Sequence, residues 1–263
     1  MPSPQLPRNI TSVPVRTYHS LNYRQIWEVI SAASSAAEKA GYGCYLFGSA
    51  AIHLLCPGAR APGDIDLVVY PLARTPTGRP TPTLDAERVK VEIQRHDPRF
   101  YRVKAKDPSA KYAPFWFSYE SDYPDCTQSI KVDIIPVDSE DLKIPTVPLN
   151  RLIRGTHTIN GAETLTLHVM PFFALLLMKL NGWHDNHISP KPWLRRKTAT
   201  DIIDVKALLN IVAKKNETLT APRHQWFPAW FVARGRGHAG SSWQRIQISV
   251  ISQRNSIVGF TSD

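Results

Sequence analysis

Cysteine is scarce. The three residues, Cys44, Cys56 and Cys126, are an odd and scattered set. They support neither a disulfide framework nor a zinc site, and they suit a reducing compartment. Long apolar runs are missing too. The most apolar stretch, Val169 to Leu180, is broken by Pro171 and falls short of the ~18 residues that cross a bilayer. The opening MPSPQLPRNITSVPVR has no apolar core, so it does not read as a secretory leader. The histidines, His53, His184 and His187 among them, lack ligand spacing. No membrane partner is expected, and the location expected is cytoplasmic, with the nucleus as the alternative.

What is present suits a packed protein. Hydrophobic residues make up 43% of the 263, enough for one large domain or two small ones. The net charge is +10 and is unevenly placed. From Lys191 onward there are twelve basic and four acidic residues, a local +8. Such a bias favours polyanions such as RNA. A solvated basic end without a partner is the alternative.

Residues 1–20 read as a flexible lead. Ile26, Val29, Ile30, Ala33 and Ala37 recur at helical spacing, so Tyr23 to Gly41 should be an amphipathic helix stopped by glycine. Cys44 to Phe47 reads as a strand, Ala50 to Leu55 as a short helix opened by Ser49, and Cys56 to Gly63 as a Pro/Gly loop. Asp64 to Tyr70 is a strand of branched residues. Leu84 to Gln94 reads as a helix. Phe100 to Lys104, Phe115 to Tyr119, Ile130 to Val137 and Thr164 to His168 read as strands, while Leu152 to Thr158 is ambiguous. Helices follow at Phe172 to Gly182 and Thr198 to Lys215, the latter with Ile202, Val205, Leu208, Leu209 and Val212 along one face. After Ala221 come Trp226, Trp230, Trp243 and a Gly/Arg/His-rich segment without periodicity. That end reads as atypical and unpacked, or as an RNA-touching tail. The expected organisation is a core over 21–168, a helical region over 169–220 and a basic, aromatic tail over 221–263. The fold class is α+β, a small mixed sheet flanked by helices.

The chemistry sits in Phe47-Gly48-Ser49, fourteen further residues, then Asp64-Ile65-Asp66. Gly48 lets the backbone turn sharply from strand to helix and approach a ligand. Ser49 would open the helix, where free N–H groups and the helix dipole attract phosphate. Asp64 and Asp66 are two apart on a strand and therefore share a face. Paired carboxylates repel unless neutralised, and oxygen ligands suit Mg²⁺ or Mn²⁺. Asp133 interrupts an apolar strand, where an acid without a partner is costly. If that strand lies beside Asp64 to Tyr70, Asp133 completes a three-carboxylate metal site and is the candidate general base.

Gly48, Ser49, Asp64, Asp66 and Asp133 resemble, in order and local context, the signature of the nucleotidyltransferase superfamily. That superfamily includes DNA polymerase beta, CCA-adding enzymes and the AbiEii-type toxins, and the downstream helices look most like the last. The resemblance covers Tyr23 to Leu209. It implies the nucleotidyltransferase fold, with Lys179 on a helix facing the nucleotide. Asp201-Ile-Ile-Asp204 would be a second helical signature that places Asp201 at the nucleotide, although Thr200 stands where a lysine is usual. From the residues alone, Lys179 could instead snorkel to the surface, and Asp201 and Asp204 could serve the helix dipole.

The expected activity is metal-dependent transfer of a nucleoside monophosphate from an NTP to an acceptor hydroxyl on RNA, protein or a small molecule, with release of pyrophosphate. Two alternatives stand beside it: an inactive nucleotide- or RNA-binding module of the same fold, and a metal-dependent phosphodiesterase.

Overall fold

In the computed structural model the described residues are 9–10, 22–56, 58–73, 78, 84–105, 107, 109–119, 129–137, 144–159, 163–215 and 224–235. Most of the lead 1–20, Cys126 and the tail 236–263 lie outside them. The chain forms two compact units.

The first unit comprises Met1–Leu54, Ala61–Thr146 and Leu152–Met170. It is built on a mixed sheet with eight strands among the described residues: β1 (Asn9–Ile10), β2 (Tyr42–Phe47), β3 (Asp64–Pro71), β4 (Phe100–Val103), β5 (Phe115–Ser118), β6 (Ser129–Pro136), β7 (Ile153–Ile159) and β8 (Glu163–Val169). Their spatial order is β1-β4-β5-β6-β3-β2-β8-β7. The α+β class and the mixed sheet are as expected. The ambiguous Leu152 to Thr158 becomes β7, because its antiparallel pairing with β8 runs from Ile153↔Val169 to Ile159↔Glu163.

Helix α1 (Tyr23–Lys39) starts where the Asn22 side chain accepts from the Gln25 N–H and the Gln25 side chain accepts from the Asn22 N–H, a reciprocal cap. It ends just before Gly41, whose φ of 90° is the left-handed stop that glycine supplies. Helix α3 (Ala86–His96) starts at Asp85, whose carboxylate accepts from the N–H groups of Glu87 and Arg88. Lys90, buried on α3, is satisfied by Glu87 Oε1 at 2.6 Å and the Ala113 carbonyl at 2.9 Å. Both helices pack on the sheet and on each other. Tyr42, Leu46, Ile65, Leu67, Phe100, Phe115 and Phe117 form the fully buried centre. Burying a side chain of this size contributes about 1.5–3 kcal/mol each.

The second unit comprises Leu55–Arg60, Val147–Arg151 and Pro171–Asp263. Its main helices are α4 (Phe172–Ile188) and α6 (Thr198–Lys215), with the short α5 (Pro192–Arg195) between them. Helix α4 does not stop at Gly182. A Cβ there would meet nothing, so no close approach or special backbone requires glycine, and the helix continues. On α6 the apolar face differs from expectation. Ile202 and Ile203 are exposed, while Asp201, Asp204, Val205 and Leu208 are buried. The buried stripe thus has the spacing of a core face but begins with two carboxylates. The expectation of an unpacked end also fails for 224–235. Phe231 is fully buried, the ring of His224 meets Phe173 at 4.5 Å, and Arg234 pairs with Asp185 at 2.6 Å.

Candidate active site

Strands β3 and β6 run parallel, with Asp64 opposite Lys131 and Asp66 opposite Asp133. Side chains alternate across a strand, and directly paired residues share a face. Asp64, Asp66, Asp133 and Lys131 therefore rise from one face, while Ile65, Leu67, Val132 and Ile134 turn to the other and are buried. One oxygen from each of the three aspartates lies within 4.8 Å of the others. Three negative charges this close repel by roughly 1–3 kcal/mol per pair, depending on solvent access. Lys131 relieves part of this, because its ammonium is hydrogen-bonded to Asp133 Oδ2. Half-exposed carboxylate oxygens at this spacing are the donor set that Mg²⁺ or Mn²⁺ prefers.

Gly48 stands directly after Phe47, which is paired with Asp66. Its φ is +69°, and a Cβ built on it would fall on the Asp66 carboxylate, with Cγ only 2.9 Å away. Glycine is required twice here, for the turn and for the acid beside it. We expect Gly48→Ala to lower stability by about 2 kcal/mol or more, from positive φ and displaced Asp66 together. A urea-unfolding midpoint equal to the wild type would refute this. Ser49, the second residue of α2 (Gly48–Leu55), is buried beside the turn.

The second unit gathers another set of charges. Asp204 is 1% exposed. Arg60, from the Pro/Gly loop, clamps it with two bonds, Nε to Oδ1 at 2.8 Å and Nη2 to Oδ2 at 2.9 Å. Lys179 Nζ reaches Asp204 Oδ2 at 2.8 Å and Asp201 Oδ1 at 3.6 Å, and Asn186 donates to Asp201 Oδ2 at 2.8 Å. Lys179 is thus held by carboxylates and does not snorkel to the surface. Sequence reasoning missed Arg60 and Asn186. It also missed Lys131, although its position two residues before Asp133 was a readable signal.

At the two cysteines among the described residues, thiol chemistry finds no support. Cys44 and Cys56 are buried. Burial pushes both thiols up to about 11, with the charge of Asp204 adding to the effect at Cys56 and a Ser34 hydrogen bond opposing it at Cys44. At neutral pH neither is a thiolate nucleophile.

Comparison with known proteins shows the family and the fold. A family model described as nucleotidyl transferase AbiEii toxin, type IV TA system, matches residues 33–254. The crystal structure of an antigenic nucleotidyltransferase-like protein from Paracoccidioides brasiliensis superposes with a TM-score of 0.59 at 17% identity, covering 88% of this chain and 94% of that one. A Helicobacter pylori structure aligns more loosely, with a TM-score of 0.38, 11% identity and coverage of 92% and 100%. No curated protein matches. Among the described residues no helix is long and apolar enough to cross a membrane.

Proposed function

The chain belongs to the AbiEii nucleotidyl transferase family, and from that membership we propose that it moves a nucleoside monophosphate from an NTP to an acceptor hydroxyl. The observation that carries the reading is the meeting of Asp64, Asp66 and Asp133 within 4.8 Å, beside a turn that only glycine can make. Those three carboxylates would hold a divalent cation, Mg²⁺ or Mn²⁺. Such an ion supplies Lewis-acid stabilisation of charge on the phosphoryl oxygens.

The chain's own groups do the rest. The Gly48 turn brings backbone close to the phosphates, and the start of α2 at Ser49 offers N–H groups and a positive dipole end to them. The acceptor oxygen bonds to the α-phosphorus as the bond to the β-phosphate oxygen breaks, and pyrophosphate leaves. Asp133 accepts the hydroxyl proton through the oxygen that Lys131 does not hold.

For the acceptor we favour RNA. In the second unit Trp193 is 60% exposed, with Lys191 Nζ at 5.7 Å from its ring and Arg195, Arg196 and Lys197 exposed beside it. A solvent-facing ring flanked by cations suits a stacked base between phosphates.

The test is incubation of the full chain with each α-³²P-labelled NTP, Mg²⁺ and total cellular RNA. Label in RNA supports the reading in full. Label in protein keeps transfer and replaces the acceptor. Cleaved RNA without label would favour the phosphodiesterase. No label and no cleavage, in a folded sample that still binds NTP, would leave the binding module or a small-molecule acceptor, and adding a cellular small-molecule extract separates the two.

A further inference from the structure

We propose that Lys131 is a resident counter-ion that sets how tightly the Asp64–Asp66–Asp133 cluster takes a divalent cation. The inference rests on reading that cluster as a metal site. Lys131 stands on the same strand and face as Asp133, directly opposite Asp64 on β3 and opposite Trp116 on β5. Trp116 is buried and gives Lys131 no anion on that side. The ammonium turns instead to Asp133 Oδ2. One carboxylate oxygen of the cluster is thereby already held by a positive charge. An arriving cation must share Asp133 with the ammonium or displace it.

The pair has little structural worth. The side chains of Lys131 and Asp133 are 33% and 36% exposed, and ion pairs this open to water contribute little to folding. Its consequence lies in charge. Three carboxylates and one ammonium give the cluster a formal −2, and without Lys131 it would carry −3. Lys131 therefore lowers repulsion in the metal-free protein and weakens cation binding by the same charge. Arginine at this position would keep the charge, while methionine keeps the length without it.

The experiment is Mn²⁺ titration of the full chain by calorimetry, with a thermal-shift series alongside, on the wild type, Lys131→Met, Lys131→Gln, Lys131→Arg and Asp64→Asn. Neither readout depends on catalysis. Lys131→Met and Lys131→Gln should bind Mn²⁺ about tenfold tighter, with a larger metal-induced rise in melting temperature, and Lys131→Arg should stay near the wild type. Two neutral variants guard against one that misfolds. Wild-type binding that Asp64→Asn abolishes, with the neutral Lys131 variants no tighter than wild type, overturns this inference alone. Mn²⁺ binding that is absent in the wild type, or unchanged in Asp64→Asn, overturns the metal reading and this inference with it.

Discussion

Asp64→Asn should remove nucleotidyl transfer while leaving the metal-free protein at least as stable as the wild type. The two halves of this result have one cause. Asp64 is one of three carboxylates whose oxygens lie within 4.8 Å of one another. In the absence of a cation its charge adds repulsion to the fold, and the isosteric amide removes that charge without opening a cavity. On the proposed reading, with Mg²⁺ present the same charge would become a ligand. Losing a ligand would loosen the cation, whose stabilisation of phosphoryl charge is worth several kcal/mol. A thousandfold fall in rate, the expected minimum, corresponds to ~4 kcal/mol. Melting curves in EDTA and in Mg²⁺ make the sign visible. The wild type should gain stability from Mg²⁺ by mass action, and Asp64→Asn should gain little. Transfer of label within tenfold of the wild type would remove Asp64 from the chemistry. A large drop in melting temperature in EDTA would instead make it a structural residue.

Much of this site is legible in the sequence because strand geometry is simple. Asp64-Ile65-Asp66 can only place two carboxylates on one face, and a glycine between strand and helix implies a turn that other residues resist. Asp133 stands out as an acid in an apolar strand. What the sequence does not contain is the pairing. The register that sets Asp66 opposite Asp133 joins two strands far apart in the chain, and no local pattern encodes it. Helix α6 shows the converse error. Its apolar residues suggest a face that includes Ile202, yet the helix turns Asp201 and Asp204 inward. Counting hydrophobic residues misreads such a helix, because the charges that make the burial tolerable come from α4 and from a loop 144 residues earlier. Arg60 itself looks like any cation in a Pro/Gly loop until its partner is known.

That burial carries the second large effect, on stability. Asp204→Asn should destabilise the protein by about 3–5 kcal/mol, the range for breaking a buried ion pair from one side. The amide keeps the shape but leaves Arg60 and Lys179 facing each other across a neutral group. Arg60 has 27% of its side chain exposed and Lys179 18%, so water relieves part of the cost and the lower end of the range is expected. Removing a cation should matter less. Lys179→Met leaves the two-bond clamp of Arg60 on Asp204 intact, and Asp201 keeps its hydrogen bond from Asn186. We expect ~1–2 kcal/mol there. The order, with Asp204→Asn well above Lys179→Met, follows from which group has two partners and which has substitutes. A triple variant carrying Arg60→Met, Lys179→Met and Asp204→Leu should be no worse than Asp204→Asn alone, since apolar groups of similar volume leave no charge uncompensated. Urea unfolding of the full chain measures all three variants. Asp204→Asn within ~1 kcal/mol of the wild type, well short of the range for a broken buried pair, would mean that the two cations find other anions and that the buried carboxylate does not organise the second unit.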